Sequence, residues 1–125
     1  MILDTNAISD LLLENRALLR ALPAHVIFRL PVIALGEYRY GIERSRERVN
    51  LGHLLDQLEA VAEILPVDPQ TAAHYANIRE ELRKHGHALP QNDIWIAAIA
   101  LQHDLPIASR DAHFDYVRDV RRISW

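Results

Sequence analysis

The chain has 125 residues, half of them hydrophobic and a quarter charged, with no cysteine and a formal net charge of −3. This length predicts one domain over residues 1–125, and the composition excludes a disordered chain, disulfides and thiolate zinc sites. No apolar run reaches the ~18 residues of a membrane span. No basic and apolar leader precedes the first strand, so we expect a cytoplasmic protein. A net charge of −3 is not typical of a nucleic-acid binder, but it does not exclude one.

The first half of the chain alternates short apolar runs with helical patterns. Residues 1–3 predict a buried strand, and the three residue types that follow, Asp4-Thr5-Asn6, favour helix N-termini. Residues 26–30 are β-branched and aromatic enough to predict a second strand, and Pro31 suits the first turn of a helix. The expected helices cover residues 7–13, 14–22, 31–45 and 46–62. Two glycines weaken the third of these unless close packing requires them, namely Gly36 and Gly41.

The second half continues the alternation. Residues 63–67, 106–108 and 120–124 predict strands, and Asp68-Pro69 supplies a cap and a first-turn proline for a helix that ends near Gly86. Asp93 then opens a run of eight apolar residues, 94–101. A helix that is apolar all round is normally buried, so this acid should be held rigidly at the edge of the core. A helical turn is expected at 113–117.

Short strands that alternate with helices predict an α/β fold, with a parallel sheet covered by helices on both faces. Ligands bind such sheets beyond the carboxyl ends of the strands. Asp4 follows the first strand and Asp111 follows the strand at 106–108. Both acids are therefore expected at the same rim.

Each candidate acid also has a purely structural interpretation. Asp4 could cap the following helix, Asp93 could complement its helix dipole for ~0.3–1 kcal/mol, and Asp111 could be a turn residue. Glu37, inside a helix, could be a solvated surface acid. Carboxylates brought together would repel one another and raise their own pKa values unless a cation joined them. Oxygen ligands without cysteine suit Mg²⁺ or Mn²⁺.

Four segments, in order along the chain, closely resemble the PIN domain of VapC-type toxin ribonucleases. They are Leu3-Asp4-Thr5-Asn6, then Leu35-Gly36-Glu37-Tyr38-Arg39-Tyr40-Gly41-Ile42, then Asp93-Ile94-Trp95-Ile96-Ala97-Ala98-Ile99-Ala100, then Ser109-Arg110-Asp111-Ala112-His113-Phe114. The resemblance implies a three-layer fold with a mostly parallel five-stranded sheet. It also implies a Mg²⁺- or Mn²⁺-dependent endoribonuclease, inhibited by a cognate VapB-type antitoxin, and a homodimer formed by helices of the N-terminal half.

The resemblance assigns roles residue by residue. The catalytic and metal-binding acids are Asp4, Glu37, Asp93 and Asp111, with Asp115 as a competitor for the fourth position. The matching polar neighbours that support the site are Thr5 or Asn6, and Ser109. From its position just before Asp93, Asn92 is also a supporting residue, which either caps the apolar helix or orients the site. The acids would hold one or two ions, with Glu37 bound through water or orienting the attacking water. Hydrolysis of the RNA phosphodiester would leave a 5′-phosphate and a 3′-hydroxyl.

Substrate contacts are less defined. Arg110, beside an acid of the site, is the best candidate for a contact to RNA phosphate. The basic segment Arg39, Arg44, Arg46 and Arg48 is as consistent with solvated helix faces, or pairs with Glu43 and Glu47, as with phosphate contact. The histidines are interpreted as surface residues, although His103 and His113 could lie near the site. Core or interface positions are expected for Trp95 and Trp125, and a dimer or antitoxin surface for Tyr38 and Tyr40.

Two other functions are considered. A phosphatase of the haloacid-dehalogenase type needs a second Asp two residues after the first, where this chain has Asn6, and a later lysine, where Lys84 is the only one. A PIN module that binds metal or a partner without catalysis is the other alternative. The presence of all four acids favours the nuclease, and RNA cleavage by the purified protein distinguishes the two.

Overall fold

The computed structural model describes residues 1–125. The strands are β1 Ile2–Leu3, β2 Arg29–Pro31, β3 Glu63–Leu65, β4 Ile107–Ala108 and β5 Arg122–Ile123. The helices are α1 Thr5–Leu12, α2 Arg16–Ala21, α3 Val32–Ile42, α4 Arg48–Val61, α5 Pro69–Lys84 and α6 Gln91–His103, followed by a 3-10 helix, Ala112–Tyr116. None of these helices is both long and apolar enough to cross a bilayer.

The five strands form one sheet in the order β3-β2-β1-β4-β5, and every neighbouring pair is parallel. Strands β2 and β3 are added in sequence on one side of β1. The chain then crosses back over the sheet, and β4 and β5 are added on the other side of β1. Since crossovers between parallel strands are right-handed, this reversal places α1–α4 and α5–α6 on opposite faces. The predicted α/β fold is confirmed. The order in which strands are added to the sheet reverses between β1 and β4, and open α/β sheets bind their ligands at such a reversal.

The strands are only two or three residues long, but the central ones are buried in the hydrophobic core. Twenty-four buried residues form a single hydrophobic cluster, and both residues of β1 and of β4 are fully buried. Strands covered on both faces need continuous apolar side chains rather than alternation. Ile2 and Leu3 pair with Ile107 and Ala108, so the centre of the sheet is apolar throughout.

Helix α6 is the buried helix that the apolar run predicts. Residues 96–100 are at most 2% exposed, and Trp95 stacks on Tyr75 of α5 with ring centroids 4.0 Å apart. The helix starts at Gln91, after Pro90, and ends at His103, followed by the C-cap residue Asp104 in the left-handed conformation. Asn92 therefore lies inside the first turn and does not cap the helix, so the capping alternative for Asn92 is wrong.

The predicted start of α5 is confirmed and is also tied to α6. The Asp68 side chain accepts from the Thr71 backbone N–H at 3.0 Å, and the Thr71 hydroxyl accepts from the Asp68 backbone N–H at 3.1 Å, which is a capping box. The Gln102 amide of α6 donates to both Asp68 carboxylate oxygens at 3.0 Å. These bonds fix the start of α5 against the end of α6.

Other boundaries differ from those expected. The second strand begins only at Arg29, because its partners Ile2 and Glu63 define the paired stretch. Pro31 ends that strand and precedes α3 instead of lying in its first turn. A Cβ at either helical glycine, Gly36 or Gly41, would meet no atom within 4 Å, so close packing does not require them.

Candidate metal centre

The four predicted acids line one cavity of about 650 Å³. It opens at the carboxyl ends of β1 and β4, where the sheet changes direction. Asp4 follows β1 directly and Asp111 follows β4, whereas Glu37 reaches the cavity from the middle of α3 and Asp93 from the first turn of α6. Four elements far apart in sequence thus bring carboxylates to one place.

Asp4 both caps a helix and lies in the cavity. Its Oδ1 accepts from the Ala7 backbone N–H at 2.8 Å, which is an N-cap bond to α1. Its Oδ2 accepts from Asn6 Nδ2 at 2.9 Å and from the Ser109 hydroxyl. The side chain is 4% exposed. The capping interpretation is correct for one oxygen, and the other oxygen is oriented by two polar neighbours.

Two of the supporting residues join the loops that follow β1 and β4. The side-chain Oδ1 of Asn6 accepts from the Arg110 backbone N–H at 3.0 Å. The fully buried Ser109 hydroxyl accepts from the Asp111 backbone N–H at 2.9 Å while it donates to Asp4. These bonds set the distance between the first and fourth acids. The other two differ, since Thr5 lines the cavity and Asn92 is exposed without a side-chain hydrogen bond.

Asp93 is the acid with the least support from the protein. It lies in the first turn of α6, partly buried, and no side chain or backbone group donates to its carboxylate. Burial raises its pKa to about 6, helped by repulsion from Asp111, Glu37 and Asp4. The Asp93 oxygens are therefore free to bind a cation. Without a cation, burial and the neighbouring acids disfavour the ionised form of Asp93.

Asp4 has a similarly raised pKa, but unlike Asp93 it also accepts hydrogen bonds that oppose the shift. Burial raises it to about 6 and the charge of Asp111 adds to this, although the hydrogen bonds from Ser109, Ala7 and Asn6 favour the ionised form. Two carboxylates of one cavity thus hold protons up to a pH at which ordinary aspartates are ionised. A divalent cation bound among these carboxylates would reduce the electrostatic repulsion between them.

The two raised pKa values predict how the metal-free protein responds to pH. Between about pH 4 and pH 6 the native state keeps protons on Asp4 and Asp93 that the unfolded chain has lost. The free energy of unfolding contributed by these groups is therefore largest below about pH 4 and falls as the pH rises to about 6. Urea unfolding with chelator, at pH values from 4.5 to 7, measures this decline. The decline should be shallower in the Asp93→Asn variant, and equal slopes in the two proteins would contradict the assignment.

The structure separates the two candidates for the fourth acid. Asp111 lines the cavity and caps the 3-10 helix by accepting from the His113 backbone N–H at 2.9 Å. Asp115 lies outside the cavity and pairs with Arg122, with distances of 2.8 and 2.7 Å and a lowered pKa from the hydrogen bonds of that guanidinium. His113, for which a surface position was expected and a position near the site was the alternative, is half exposed and its Nδ1 is 3.0 Å from Asp111 Oδ1.

Arg110 lies at the edge of the cavity in a defined position. Its Nε is 3.4 Å from Asp10 Oδ2, and its guanidinium lies 5.9 Å from the Trp125 ring centroid. Trp125 Nε1 donates to the same Asp10 oxygen at 2.8 Å. A residue of α1 and the last residue of the sequence therefore hold Arg110 beside the acids, which sequence analysis did not predict.

Other polar expectations are only partly met. Arg39 pairs with Asp56 and Glu59 of α4, at 3.0 and 2.7 Å, and not with the nearby glutamates. Tyr38 is 6% exposed and belongs to the core, so its predicted place on an interaction surface is wrong. Tyr40 is 75% exposed.

The donor set fits a hard divalent cation. Four carboxylates meet in a cavity whose nearest arginine is already paired with Asp10, so no side chain of the cavity neutralises them. Carboxylate oxygens are the ligands that Mg²⁺ and Mn²⁺ take in proteins. The two acids with carboxylate oxygens within 4.8 Å of each other, and so best placed to hold the ion, are Asp93 and Asp111. Asp4 and Glu37 line the same cavity.

Comparison with known proteins points to one family. The model of the PIN domain matches residues 1–120. Toxin FitB of Neisseria gonorrhoeae is 32% identical over 130 residues, which cover 96% of this chain and 94% of FitB. Ribonuclease VapC5 of Mycobacterium tuberculosis is 36% identical over 85 residues, which cover 66% of this chain and 63% of VapC5. The matched part is thus slightly less than two thirds of VapC5.

A solved structure agrees with the sequence matches. The crystal structure of VapBC-5 from Mycobacterium tuberculosis, a member of the VapBC family of toxin-antitoxin systems, superimposes with a TM-score of 0.80 at 28% identity. The superposition covers 99% of this chain and 97% of the other. The whole sheet and all the helices therefore have counterparts in that structure.

Proposed function

The chain belongs to the PIN-domain family, of the VapC type, and from that premise we propose that it is a metal-dependent endoribonuclease, the toxin of a toxin–antitoxin pair that acts on cytoplasmic RNA. The observation that carries the proposal is the convergence of Asp4, Glu37, Asp93 and Asp111 in one cavity. Relatives named as a ribonuclease and as a toxin support the same activity.

Each acid has a distinct task in this proposal. Asp93 and Asp111 bind the cation most directly, because Asp93 accepts no hydrogen bond and Asp111 accepts only one through its carboxylate. Asp4 completes the carboxylate cluster from a position set by Ser109 and Asn6. When bound, Mg²⁺ or Mn²⁺ neutralises charge on the phosphodiester oxygens and makes water more acidic. Glu37, partly buried on α3, orients the attacking water.

Cleavage of RNA by the purified protein tests the proposal. Labelled total RNA is incubated with the protein in Mg²⁺ or Mn²⁺, with the same mixture in excess EDTA beside it. We expect cleavage that depends on the added metal and yields 5′-phosphate ends. Persistent cleavage in EDTA would refute the metal mechanism, and no cleavage with either metal would favour the non-catalytic alternative.

A matched pair of variants tests which acid is the fourth. Asp111→Asn should lose activity along with the charge that faces the cavity, whereas Asp115→Asn changes only an ion pair outside it. The Asp115 variant should keep cleavage close to that of the unchanged protein. The reverse order of activities would assign the fourth position to Asp115.

Arg110 is proposed to contact RNA phosphate at the edge of the cavity. Arg110→Ala should raise the Kd for RNA roughly fivefold, which corresponds to about 1 kcal/mol for one exposed charged contact. It should also reduce the slope of log affinity against log salt by about 0.7, because one fewer counterion is released from a single strand. Binding to an RNA oligomer in Ca²⁺, which we expect to support binding without cleavage, measures both. Arg118→Ala is the control, since Arg118 is exposed and pairs only with Asp119. An equal effect of the two variants would remove Arg110 from the substrate site.

Membership of the VapC-type PIN family also suggests two protein partners, an antitoxin and a second copy of this chain. A VapB-type antitoxin is proposed to inhibit the protein, as the toxin–antitoxin complex among the structural relatives suggests. A homodimer is proposed as well, supported by exposed apolar side chains on α3 and α4, namely Val32, Tyr40, Val49 and Val61. Relief of growth arrest by the adjacent small reading frame tests the first, and light scattering of the purified protein tests the second.

A further inference from the structure

One histidine lies within the carboxylate cluster. His113 Nδ1 is 3.0 Å from Asp111 Oδ1, and one ligand atom each from Asp93, Asp111 and His113 lie within 4.8 Å of one another. Around an octahedral ion with bonds of about 2.1 Å, adjacent ligands are about 3.0 Å apart and opposite ligands about 4.2 Å. The three side chains therefore have nearly the spacing of ligands to a single ion.

The position of this histidine is determined by its surroundings. Its backbone N–H donates to Asp111 Oδ1 at 2.9 Å, at the start of the 3-10 helix. The next residue, Phe114, is fully buried and anchors that helix in the core. The ring itself is about half exposed, so it lies on the solvent side of the acids.

The other histidines do not offer this arrangement. His85 lies 4.0 Å from Glu81 at the end of α5, outside the cavity. The group of Asp93, Asp111 and His113 is the only set of three such residues with ligand atoms this close together. The histidine is thus specific to the acidic cluster and not one of several exposed rings with an acid nearby.

We propose that His113 Nδ1 is a protein ligand of the active-site ion, together with Asp93 and Asp111, and that this nitrogen makes the site prefer Mn²⁺ or Co²⁺ to Mg²⁺. The inference rests on the metal-dependent nuclease proposed above and deepens it. Mg²⁺ favours oxygen ligands and gives up its water reluctantly. Imidazole nitrogen suits first-row transition ions, whose affinity for a mixed nitrogen and oxygen site rises from Mn²⁺ to Co²⁺.

Metal binding tests this without any activity assay. Pulsed EPR of Mn²⁺ bound to the full chain, with histidine labelled with ¹⁵N, should show hyperfine coupling to a histidine nitrogen. That coupling should disappear in His113→Ala and persist in His103→Ala, whose histidine is exposed at the end of α6. By calorimetry, His113→Ala should weaken Mn²⁺ and Co²⁺ binding about tenfold or more, and Mg²⁺ binding less than about threefold.

The outcomes separate this proposal from the function on which it rests. If Mn²⁺ binds and Asp93→Asn abolishes the binding, but no nitrogen coupling appears and the three ions lose affinity equally in His113→Ala, then His113 only orients Asp111. That result would overturn the ligand assignment and leave the nuclease intact. If no Mn²⁺ binding depends on Asp93, both proposals fail together.

Discussion

Asp93→Asn should reduce RNA cleavage by about 10³-fold, because it removes the acid whose oxygens are free of hydrogen bonds from the protein. Metal-borne stabilisation of transition-state charge is worth several kcal/mol, and each 1.36 kcal/mol is tenfold in rate. The amide keeps the size of the side chain, and α6 stays packed because its buried face starts at Ile94. Single-turnover cleavage of a defined RNA, at a Mn²⁺ concentration that saturates the unchanged protein, gives the rate ratio.

The same variant should be as stable as the unchanged protein or more so. Asp93 has a raised pKa because burial and three neighbouring acids disfavour its charge, and the amide carries none. After allowance for solvent screening, we expect a gain of up to about 1 kcal/mol in the free energy of unfolding at pH 7 without metal. Asp119→Asn, at an exposed acid outside the cavity, should change neither property. A variant that loses activity and stability together would point to misfolding instead of a lost ligand.

Phe114→Ala should lower the free energy of unfolding by about 3–5 kcal/mol, the usual cost of emptying a buried phenylalanine site. Phe114 is 0% exposed and is the largest of the fully buried side chains. For a domain of this size the melting temperature should fall by about 10–20 °C. Thermal and urea unfolding of the metal-free protein measure the change.

A neighbouring position provides the control for this effect. Tyr116 lies in the same 3-10 helix but is 52% exposed and stacks on His87 with ring centroids 3.9 Å apart. Tyr116→Ala should therefore cost less than about 1.5 kcal/mol. Similar losses from the two variants would show that Phe114 does not anchor the helix. The milder Phe114→Leu should keep the fold and still reduce cleavage, because Asp111 and His113 belong to the segment that the ring holds.

Much of the fold was predictable because its signals are local. The apolar run after Asp93 predicted α6, and Asp68-Pro69 predicted the start of α5 to the residue. The predicted strand boundaries were less accurate. The second strand begins at Arg29 because its partners β1 and β3 are paired from there on, and no residue of the strand itself encodes where a partner begins.

The four acids that line the cavity were predictable for two reasons. Asp4 and Asp111 follow strands whose carboxyl ends must meet at one rim, and Glu37 and Asp93 lie in segments that resemble the same family in the same order. The sequence could not reveal how the acids are positioned. Ser109 bonds to Asp4 across 105 positions of the chain, and Trp125 bonds to Asp10 across 115.

The sequence by itself determined the α/β class, the buried helix and the set of candidate acids, since each depends on periodicity or on a short motif. Only the tertiary structure decided that Asp111 and not Asp115 faces the cavity, and that the His113 ring lies beside Asp111 and Asp93. These residues share one short helical segment, so their sequence positions scarcely distinguish them. The buried ring of Phe114 and the ion pair between Asp115 and Arg122 orient that segment, and both contacts require the packed sheet.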